Sequence, residues 1–462
     1  MENKLIDALK KIEEENLVSF HMPGHKNNKS FFEKQLSPLD LVAIDLTEIP
    51  GVDNLHNPKS CIRNSQNSLS DFYKSYRSYF LVNGSTCGIL SMIYATTKRD
   101  DKILVNRNAH QSVINGILLN GLRPVYVMPE IDKSSGMILG VTAKLLEEKL
   151  SSDSEIKTVL LTYPSYEGIC FDLMKISKVV KKYNCQLIID EAHGSHLLSH
   201  EELPMSACES GADIVVQSAH KNLPAFTQGA FLHLYNKDLE GSVEKYLKIF
   251  QSSSPSYLIM ASLDLSVDYL INESHLKTKE LLGEVKNLVN QLKKTNYKVL
   301  NWGIEYNRLP FTFDPTKIVI SGLAMGLTGW KLEEILRGNY QIQVEYSTEN
   351  FIVLITTVLN NSQDFKKLYH ALESIEKKYG KEKINAKHPL ILADVIVKIK
   401  PSLIEEYNYK IETIDQCLGK IAYEAIVPYP PGIPLINPGE LITEEAITKL
   451  SEMVSELKIV EE

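Results

Sequence analysis

Short apolar runs alternate with helical patterns through the first half of the chain, and each run ends in polar or glycine residues. The runs lie at residues 78–82, 102–105, 125–127, 158–162, 187–189 and 212–216. Continuous apolar runs of this length are typical of strands that are buried on both faces. Their alternation with helices predicts an α/β domain in which helices cover both faces of a mostly parallel sheet.

The second half of the chain has a different pattern. Helical spacing runs from Leu258 to Leu292, and mixed strands and helices follow from about residue 296. Strands are predicted at residues 317–320 and 351–355, a helix at 364–378, and a last apolar helix near 414–423. The pattern predicts a large domain over residues 31–295 and a smaller α+β carboxyl-terminal domain over residues 296–462.

The amino-terminal segment has helical spacing of its own. Leu5, Ile6, Leu9 and Ile12 recur at the intervals of an amphipathic helix. We expect an arm over residues 1–30 that precedes the large domain.

Composition narrows the class of protein. The 462 residues carry a formal net charge of −8, which argues against a nucleic-acid partner. No apolar run is long enough to span a bilayer, and no apolar signal core follows Met1. The six cysteines are scattered without a CxxC pair, as is typical of free thiols in a reducing compartment. We therefore expect a cytoplasmic protein that binds neither nucleic acid nor membrane.

Two predicted strands deliver an acid and a lysine to the same edge of the sheet. Residues 187–189 lead into Asp190, and residues 212–216 lead into the segment that contains Lys221. This edge is where α/β sheets bind ligands. Pyridoxal 5′-phosphate (PLP) chemistry requires such a pair, because a lysine amine forms the Schiff base and a carboxylate keeps the pyridine nitrogen protonated. Taken singly, a loop lysine is usually solvated, and an aspartate after a strand is often a helix cap.

A strand, a small polar turn and a helix follow one another at residues 78–94. The turn contains Asn83-Gly84-Ser85-Thr86. Free backbone N–H groups at such a helix start bind phosphate, and the hydroxyls of Ser85 and Thr86 can add bonds. On these residues alone a plain helix cap is slightly favoured, because Ser and Thr are preferred there. The turn is not a P-loop, since no Gly-Lys-Ser/Thr follows it.

Two single residues are further candidates for the site. His110 follows the strand at 102–105, where its flat ring either stacks on a planar cofactor or only bonds its own loop. Glu440 ends the proline-rich loop 428–440, whose rigid backbone suits the presentation of an acid to a cationic substrate.

The cluster at residues 20–26 contains His21 and His25 around Pro23-Gly24. A Pro-Gly pair forms a turn without further help. Because no third metal ligand is evident, we interpret the cluster as a turn rather than as a metal site.

Five segments together carry a family resemblance: Phe20-His21-Met22-Pro23-Gly24-His25-Lys26, Asn83-Gly84-Ser85-Thr86, Asp190-Glu191-Ala192-His193-Gly194, Ser218-Ala219-His220-Lys221 and residues 429–440. In this order, over nearly the whole chain, they resemble the ornithine/lysine/arginine decarboxylase family of fold-type I PLP enzymes. The resemblance implies an aspartate aminotransferase-like large domain with a smaller carboxyl-terminal domain.

The resemblance also implies roles around the cofactor ring. Lys221 would carry PLP, and Asp190 would pair with the pyridine nitrogen. His110 would stack on one ring face with Ala192 against the other, and His193 would lie near the polar edge of the ring. Lys221, His110 and Asp190 are the implied catalytic residues.

A second implied set binds the phosphate. It comprises Ser85, Thr86, Ser218 and His220, and no metal is implied. Ser252 is implied to reach the phosphate of the neighbouring subunit, which would make the protein a homodimer or a higher homo-oligomer with a shared active site.

The implied reaction is the decarboxylation of a basic amino acid to the corresponding amine and CO2, in polyamine metabolism. Larger members of the family carry an extra amino-terminal domain, which is missing before His21 here. This short form slightly favours arginine as substrate, followed by lysine and ornithine. Glu440 is the acid that we expect to bind the substrate cation.

Three other functions were considered for this sequence besides decarboxylation. Another fold-type I enzyme, an aminotransferase or a lyase, would give products other than CO2. A non-catalytic polyamine-binding relative is disfavoured because both Asp190 and Lys221 are present. A nucleotidase with a motif at residues 190–193 is disfavoured because no Gly-Lys-Ser/Thr loop lies upstream.

Overall fold

A computed structural model gives the fold and describes residues 5–33, 42–302, 311–379, 383–386, 395–428, 432–451 and 453–461. Its helices are α1 (Leu5–Glu14), α2 (Lys29–Glu33), α3 (Cys61–Tyr73), α4 (Gly84–Thr96), α5 (Gln111–Leu119), α6 (Ala143–Ser152), α7 (Leu173–Lys182), α8 (Ala219–Asn222), α9 (Glu240–Phe250), α10 (Tyr257–Asn272), α11 (Ser274–Leu292), α12 (Gly329–Tyr340), α13 (Ser362–Tyr379) and α14 (Glu444–Leu450).

The strands follow the same chain order. They are β1 (Val18–Phe20), β2 (Arg77–Leu81), β3 (Lys102–Asn106), β4 (Arg123–Val127), β5 (Glu130–Ile131), β6 (Ile138–Gly140), β7 (Ile156–Thr162), β8 (Ile169–Phe171), β9 (Gln186–Asp190), β10 (Ile214–Gln217), β11 (Ala230–Leu234), β12 (Lys298–Val299), β13 (Phe311–Phe313), β14 (Lys317–Ser321), β15 (Ile342–Val344), β16 (Tyr346–Ser347), β17 (Ile352–Ile355), β18 (Tyr409–Thr413) and β19 (Glu456–Val460).

A seven-stranded sheet in the order β2-β11-β10-β9-β7-β3-β4 forms the centre of the large domain. The run β10-β9-β7-β3-β4 is parallel, and β11 pairs antiparallel with both β2 and β10. All six predicted strands are present, and β11 is the one that the pattern did not predict. Apolar residues on the two faces of the sheet form two separate cores beneath the flanking helices. The predicted α/β class with a mostly parallel sheet is confirmed.

The smaller sheet, β12-β14-β17-β16, is antiparallel and packs with α11, α12 and α13 around a third core. Strand β1 pairs parallel with β15, and Phe20 is fully buried in this core. The end of the predicted arm is therefore an integral part of the small domain and contributes to its core. The long helical pattern after Leu258 is divided at Glu273 into α10 and α11.

The last part of the chain has its own core, built around β18, β19 and α14. The helix predicted near residues 414–423 is wrong. Ile414 and Cys417 do face this core, but Gly419 adopts a left-handed φ of 76°, which ends any helix there. The residues predicted as one carboxyl-terminal domain thus pack around two separate cores. Among the described helices, none has the length and apolar character needed to cross a membrane.

Arg107, directly after β3, attaches the carboxyl-terminal part to the large domain. Its guanidinium donates to the carbonyls of Pro434 and Leu435, at 2.8 Å each, and pairs with the Glu440 carboxylate at 3.1 Å. Both charged side chains are almost fully buried, at 1% and 2% exposure. Such a pair holds its two segments together, because separating the charges would leave one of them buried without a partner.

We predict that Glu440→Gln lowers the free energy of unfolding by about 3 kcal/mol, because the buried Arg107 guanidinium loses its counter-charge. Urea denaturation measures the change. Glu334→Gln is the matched control, since Glu334 pairs with Lys331 on the surface of α12 and is expected to contribute less than about 1 kcal/mol. Equal effects of the two variants would contradict the structural role of the buried pair.

Candidate active site

The parallel pairing of β9 and β10 brings the predicted acid and lysine to one sheet edge. Asp190 is the last residue of β9 and lies opposite Val216 of β10, which continues through Ser218 into α8 and Lys221. A small cavity opens at this edge. The predicted residues that line it are Lys221, Asp190, Ala192, His193, His110 and Ser85.

The Asp190 carboxylate is 1% exposed, and the hydrogen bond to it within the described residues is donated by the backbone N–H of Ala192, at 3.1 Å. Burial raises the pKa of Asp190 to about 6, and the nearby Lys221 amine opposes this shift. A cationic donor in the cavity would therefore lower the pKa and stabilise the carboxylate.

Lys221, which is half-buried, is one end of a line of three side chains, and the other two, His193 and Lys317, are buried. Its Nζ lies 2.9 Å from His193 Nε2, and His193 Nδ1 lies 2.8 Å from Nζ of Lys317. Burial lowers the pKa of Lys221, although Asp190 and Glu345 oppose the shift, and it lowers that of Lys317 to about 8. A lysine with a lowered pKa is a better nucleophile near neutral pH, because more of it is the free amine.

Sequence reasoning missed the residues that surround this line. The Tyr166 ring lies 4.4 Å from the His193 ring, and its hydroxyl donates to Glu345 at 2.6 Å. The sequence pattern did not identify Lys317 as a site residue, because it is the first residue of a predicted strand, where a charged side chain is usually exposed. Tyr166 lies in the polar segment that follows β7, at the sheet edge where the sequence pattern predicts functional residues, so this position could have been found.

The predicted phosphate residues cluster at the start of α4. Ser218 Oγ donates to Ser85 Oγ at 2.8 Å, and Thr86 is exposed on the first turn. Gly84 has a φ of 73° and donates its N–H to Gln228. The next N–H groups of a helix start have no intrahelical acceptor, so they are available to an anion.

Ser252 lies beside this helix start in its own chain. Its backbone N–H donates to the Asn83 side chain at 3.0 Å, and its carbonyl lies 2.8 Å from His56 Nε2. The expectation that it reaches the phosphate of a neighbouring subunit stays a prediction.

The two remaining predicted histidines are neutral at pH 7. Burial lowers the pKa values of His110 and His220 to about 4. His110 caps α5, where Nδ1 accepts from the Ser112 backbone N–H, so we assign its proton to Nε2. His220 does not line the cavity, and its Nδ1 lies 3.0 Å from the Gly229 carbonyl.

Glu440 is not where its expected role requires it. It lies outside the lining of the cavity, and its carboxylate accepts from Arg107 and from the backbone and side-chain N–H groups of Asn437. Because the charge is already compensated, we correct the expectation and do not assign Glu440 to the substrate cation. Ile433 of the same loop lines the cavity, whereas residues 429–431 lie outside the described part of the chain.

The cluster at residues 20–26 contacts the lysine segment from outside. The Gly24 N–H donates to the His220 carbonyl at 2.6 Å, and a Cβ at Gly24 would lie 2.5 Å from the Leu223 carbonyl oxygen. Lys26 is half-buried and donates to the carbonyls of His21 and Ile355, at 2.6 and 3.0 Å. The turn predicted here is therefore a close contact that supports the Lys221 segment.

One surface cluster has metal-type ligands: His200, Glu201 and His275. His275 Nε2 lies 3.0 Å from Glu201, but His200 Nδ1 accepts from the Glu202 backbone N–H. A neutral His200 then carries its proton on Nε2, the nitrogen that faces the cluster, and has no lone pair there for a metal.

Two profiles of known protein families match this chain. Residues 3–307 match the profile described as Orn/Lys/Arg decarboxylase, major domain, and residues 400–458 match the Orn/Lys/Arg decarboxylase, C-terminal domain. The chain belongs to the Orn/Lys/Arg decarboxylase family. The fold-type I class, the PLP cofactor and the predicted function class, a decarboxylase of basic amino acids, are thereby confirmed.

Individual relatives agree with this assignment. The chain is 36% identical to the Bacillus subtilis uncharacterized protein YaaO, covering 98% of this chain and 95% of the relative. It is 31% identical to the arginine decarboxylase of Bacillus subtilis, covering 97% and 92%. The structure of the E. coli constitutive lysine decarboxylase has a TM-score of 0.77 at 15% identity, over 99% of this chain and 81% of that one, which shows a shared fold.

The residues of the cavity fit PLP. Within the described part of the chain, no cationic side chain hydrogen-bonds the Asp190 carboxylate, and a protonated ring nitrogen would supply such a donor. The Thr162 hydroxyl lines the cavity and is buried without a hydrogen-bond partner among the described residues. Ser85 and Ser218 offer hydroxyls at a helix start, where a phosphate is stabilised.

We predict that Gly24→Ala weakens PLP binding about tenfold, because the added carbon overlaps the Leu223 carbonyl and displaces the lysine segment, and such overpacking costs about 1–3 kcal/mol. PLP titration followed by absorbance measures the affinity. Gly338→Ala in α12 is the control, because nothing lies within 4 Å of its added Cβ. Equal affinities of the two variants would contradict the supporting role of the turn.

Proposed function

We propose that this chain decarboxylates arginine in preference to lysine or ornithine, and that Lys221, Asp190 and His110 are its catalytic residues. The observation that carries the proposal is the meeting of Asp190 and Lys221 in one cavity at the carboxyl edge of a parallel sheet. The choice of arginine is supported by 31% identity to an arginine decarboxylase over nearly the full length of both chains.

PLP, when bound, supplies the electron sink that accepts the electron pair left by the departing carboxylate. Lys221 would hold the cofactor, and Asp190 would keep the proton on the pyridine nitrogen. Ala192 and His110 would lie against the ring, and His193 near its polar edge. The phosphate would be held by Ser85, Thr86, Ser218 and His220, with Ser252 from the neighbouring subunit.

The chain's own residues also control protons and water. His110 is neutral at pH 7 and has Nε2–H as its donor, so it and Lys221 are the candidates for protonating the α-carbon. Ile89, Ile138 and Ile433 give the cavity apolar walls, which exclude water and strengthen the charge interactions inside.

The protein is expected to release CO2 from arginine faster than from lysine or ornithine when each is supplied with PLP, because its nearly full-length likeness is to an arginine decarboxylase. Trapping of labelled CO2 from purified protein measures each rate.

Two variants control this measurement. Lys221→Ala is expected to lose the visible absorbance of bound cofactor together with activity. Asp190→Asn is expected to keep PLP and lose about 100-fold or more in rate, because the ring nitrogen is no longer held protonated. Keto-acid products without CO2 would instead indicate another fold-type I reaction, and full activity of Lys221→Ala would refute the site.

We further propose a homodimer or higher homo-oligomer in the cytoplasm. The apolar residues of α1, Leu5, Ile6, Leu9 and Ile12, are 47–75% exposed and have no core to cover them within the described chain. An exposed apolar stripe of this kind is typical of an interface. All six cysteines are free, which supports a reducing location.

Light scattering is expected to give a mass of at least two 52.2 kDa chains. Leu9→Glu should weaken the association, because it places a charge in the apolar stripe, whereas Lys11→Glu on the side of α1 opposite the stripe should not. A monomeric wild-type protein would contradict the proposal.

A further inference from the structure

Lys317 and Lys221 are connected through a single ring. The Nζ atom of Lys317 lies 2.8 Å from His193 Nδ1, and the Nζ atom of Lys221 lies 2.9 Å from His193 Nε2. Lys317 and His193 are 0% and 5% exposed, so water has little access to the line. Gly168 makes room for Lys317, since a Cβ there would lie 2.7 Å from the Lys317 Cγ.

A neutral imidazole has one N–H donor and one acceptor nitrogen. Burial lowers the pKa of His193 well below its usual value, and the positive charges of Lys221 and Lys317 lower it further, so the ring is neutral. One nitrogen accepts a hydrogen bond from a lysine ammonium, and the other donates its N–H to the lone pair of a neutral lysine amine. Both hydrogen bonds therefore form only when one of the two lysines is neutral.

The acids of the site are arranged so that the charge is held on Lys317. Asp314, Glu345 and Glu167 all stabilise its ammonium form. The pKa of Asp314 is held low by His196, Lys317 and Thr316 in spite of burial, so Asp314 stays ionised. The ammonium form of Lys221 is stabilised by Asp190 and by Glu345, which also acts on Lys317. Asp190 lines the cavity, where the protonated cofactor nitrogen would compensate its charge instead.

We infer that Lys317 is a positioning residue that acts through His193: it donates to Nδ1, fixes the proton on Nε2, and so holds the Lys221 amine neutral and oriented for the cofactor. Lys317 itself does not line the cavity. The inference rests on the proposed function only in taking Lys221 as the lysine that binds PLP.

Other titratable groups surround Lys221, His193 and Lys317 and affect their protonation. They are Asp190, Glu345 and His110 around Lys221, Asp314, Glu345, Glu167 and Lys26 around Lys317, and His110 and His220 around His193. None of them is changed in the variants below.

The tautomer of His193 is the first measurement, because it needs no change at Lys317. In two-bond ¹H–¹⁵N spectra of the histidine-labelled apo-protein, the His193 signals are those lost in His193→Asn. We expect the Nε2–H tautomer between pH 6 and 9. An Nδ1–H tautomer would overturn the inference, since Lys221 would then donate to the ring.

The second measurement is the pH dependence of covalent PLP attachment to the full-length apo-protein, trapped by borohydride and located at Lys221 by peptide mass spectrometry. The neutral amine adds to the aldehyde carbon, and the aldehyde oxygen leaves as water. In Lys317→Met the pH midpoint is expected to rise by about one unit, because the positive charge on the far side of the His193 ring, which opposes protonation of Lys221, is removed.

Lys317→Arg retains a donating cation and is expected to restore the wild-type midpoint. Lys317→Gln, which keeps a polar group without charge, should behave like Lys317→Met and serves if the latter does not fold. An unchanged midpoint in both uncharged variants would overturn the inference. A wild-type protein that releases no CO2 from any of the three amino acids, with a midpoint that still shifts in the Lys317 variants, would refute the proposed function alone, because attachment is measured without substrate.

Discussion

The site depends on the parallel pairing of β9 with β10, because this pairing sets where two separate parts of the sequence meet. Asp190 ends one strand, and Lys221 lies just beyond the end of the next. In a parallel sheet the carboxyl ends of both strands lie at the same edge, so their polar residues share one space. The apolar residues of β9 and β10 are buried on both faces of the sheet, which keeps this pairing in the interior of the domain.

Burial then decides the chemistry of the residues that meet there. Asp190, His193, Lys221 and Lys317 all lose most of their contact with water, and their pKa values move toward the neutral forms as a result. The groups compensate one another through short hydrogen bonds and nearby opposite charges. Because each protonation state depends on its neighbours, the cluster titrates as a unit rather than as separate residues.

Three parts of the chain enclose this cluster. Gly24 of the amino-terminal segment contacts the lysine segment, Lys317 and Glu345 come from the small domain, and Ile433 comes from the carboxyl-terminal part. The buried pair of Arg107 and Glu440 holds this last part in place. The cavity is therefore a product of domain packing, and Glu440 contributes to it as a structural residue.

The sequence by itself determined which site residues follow the predicted strands of the large domain. Asp190, Lys221, His110 and the Ser85 turn each follow an apolar run, and the pattern of apolar and polar residues is a local property of the chain. It did not predict β11, an antiparallel strand, and it predicted a helix over residues 414–423 where the structure has only a 3-10 helix at Ile414–Gln416, because the packing of distant residues decided both. Only the tertiary structure showed that Lys317 reaches His193 and that Arg107 neutralises Glu440. These contacts join residues more than a hundred positions apart, and no local pattern encodes which buried charges will meet.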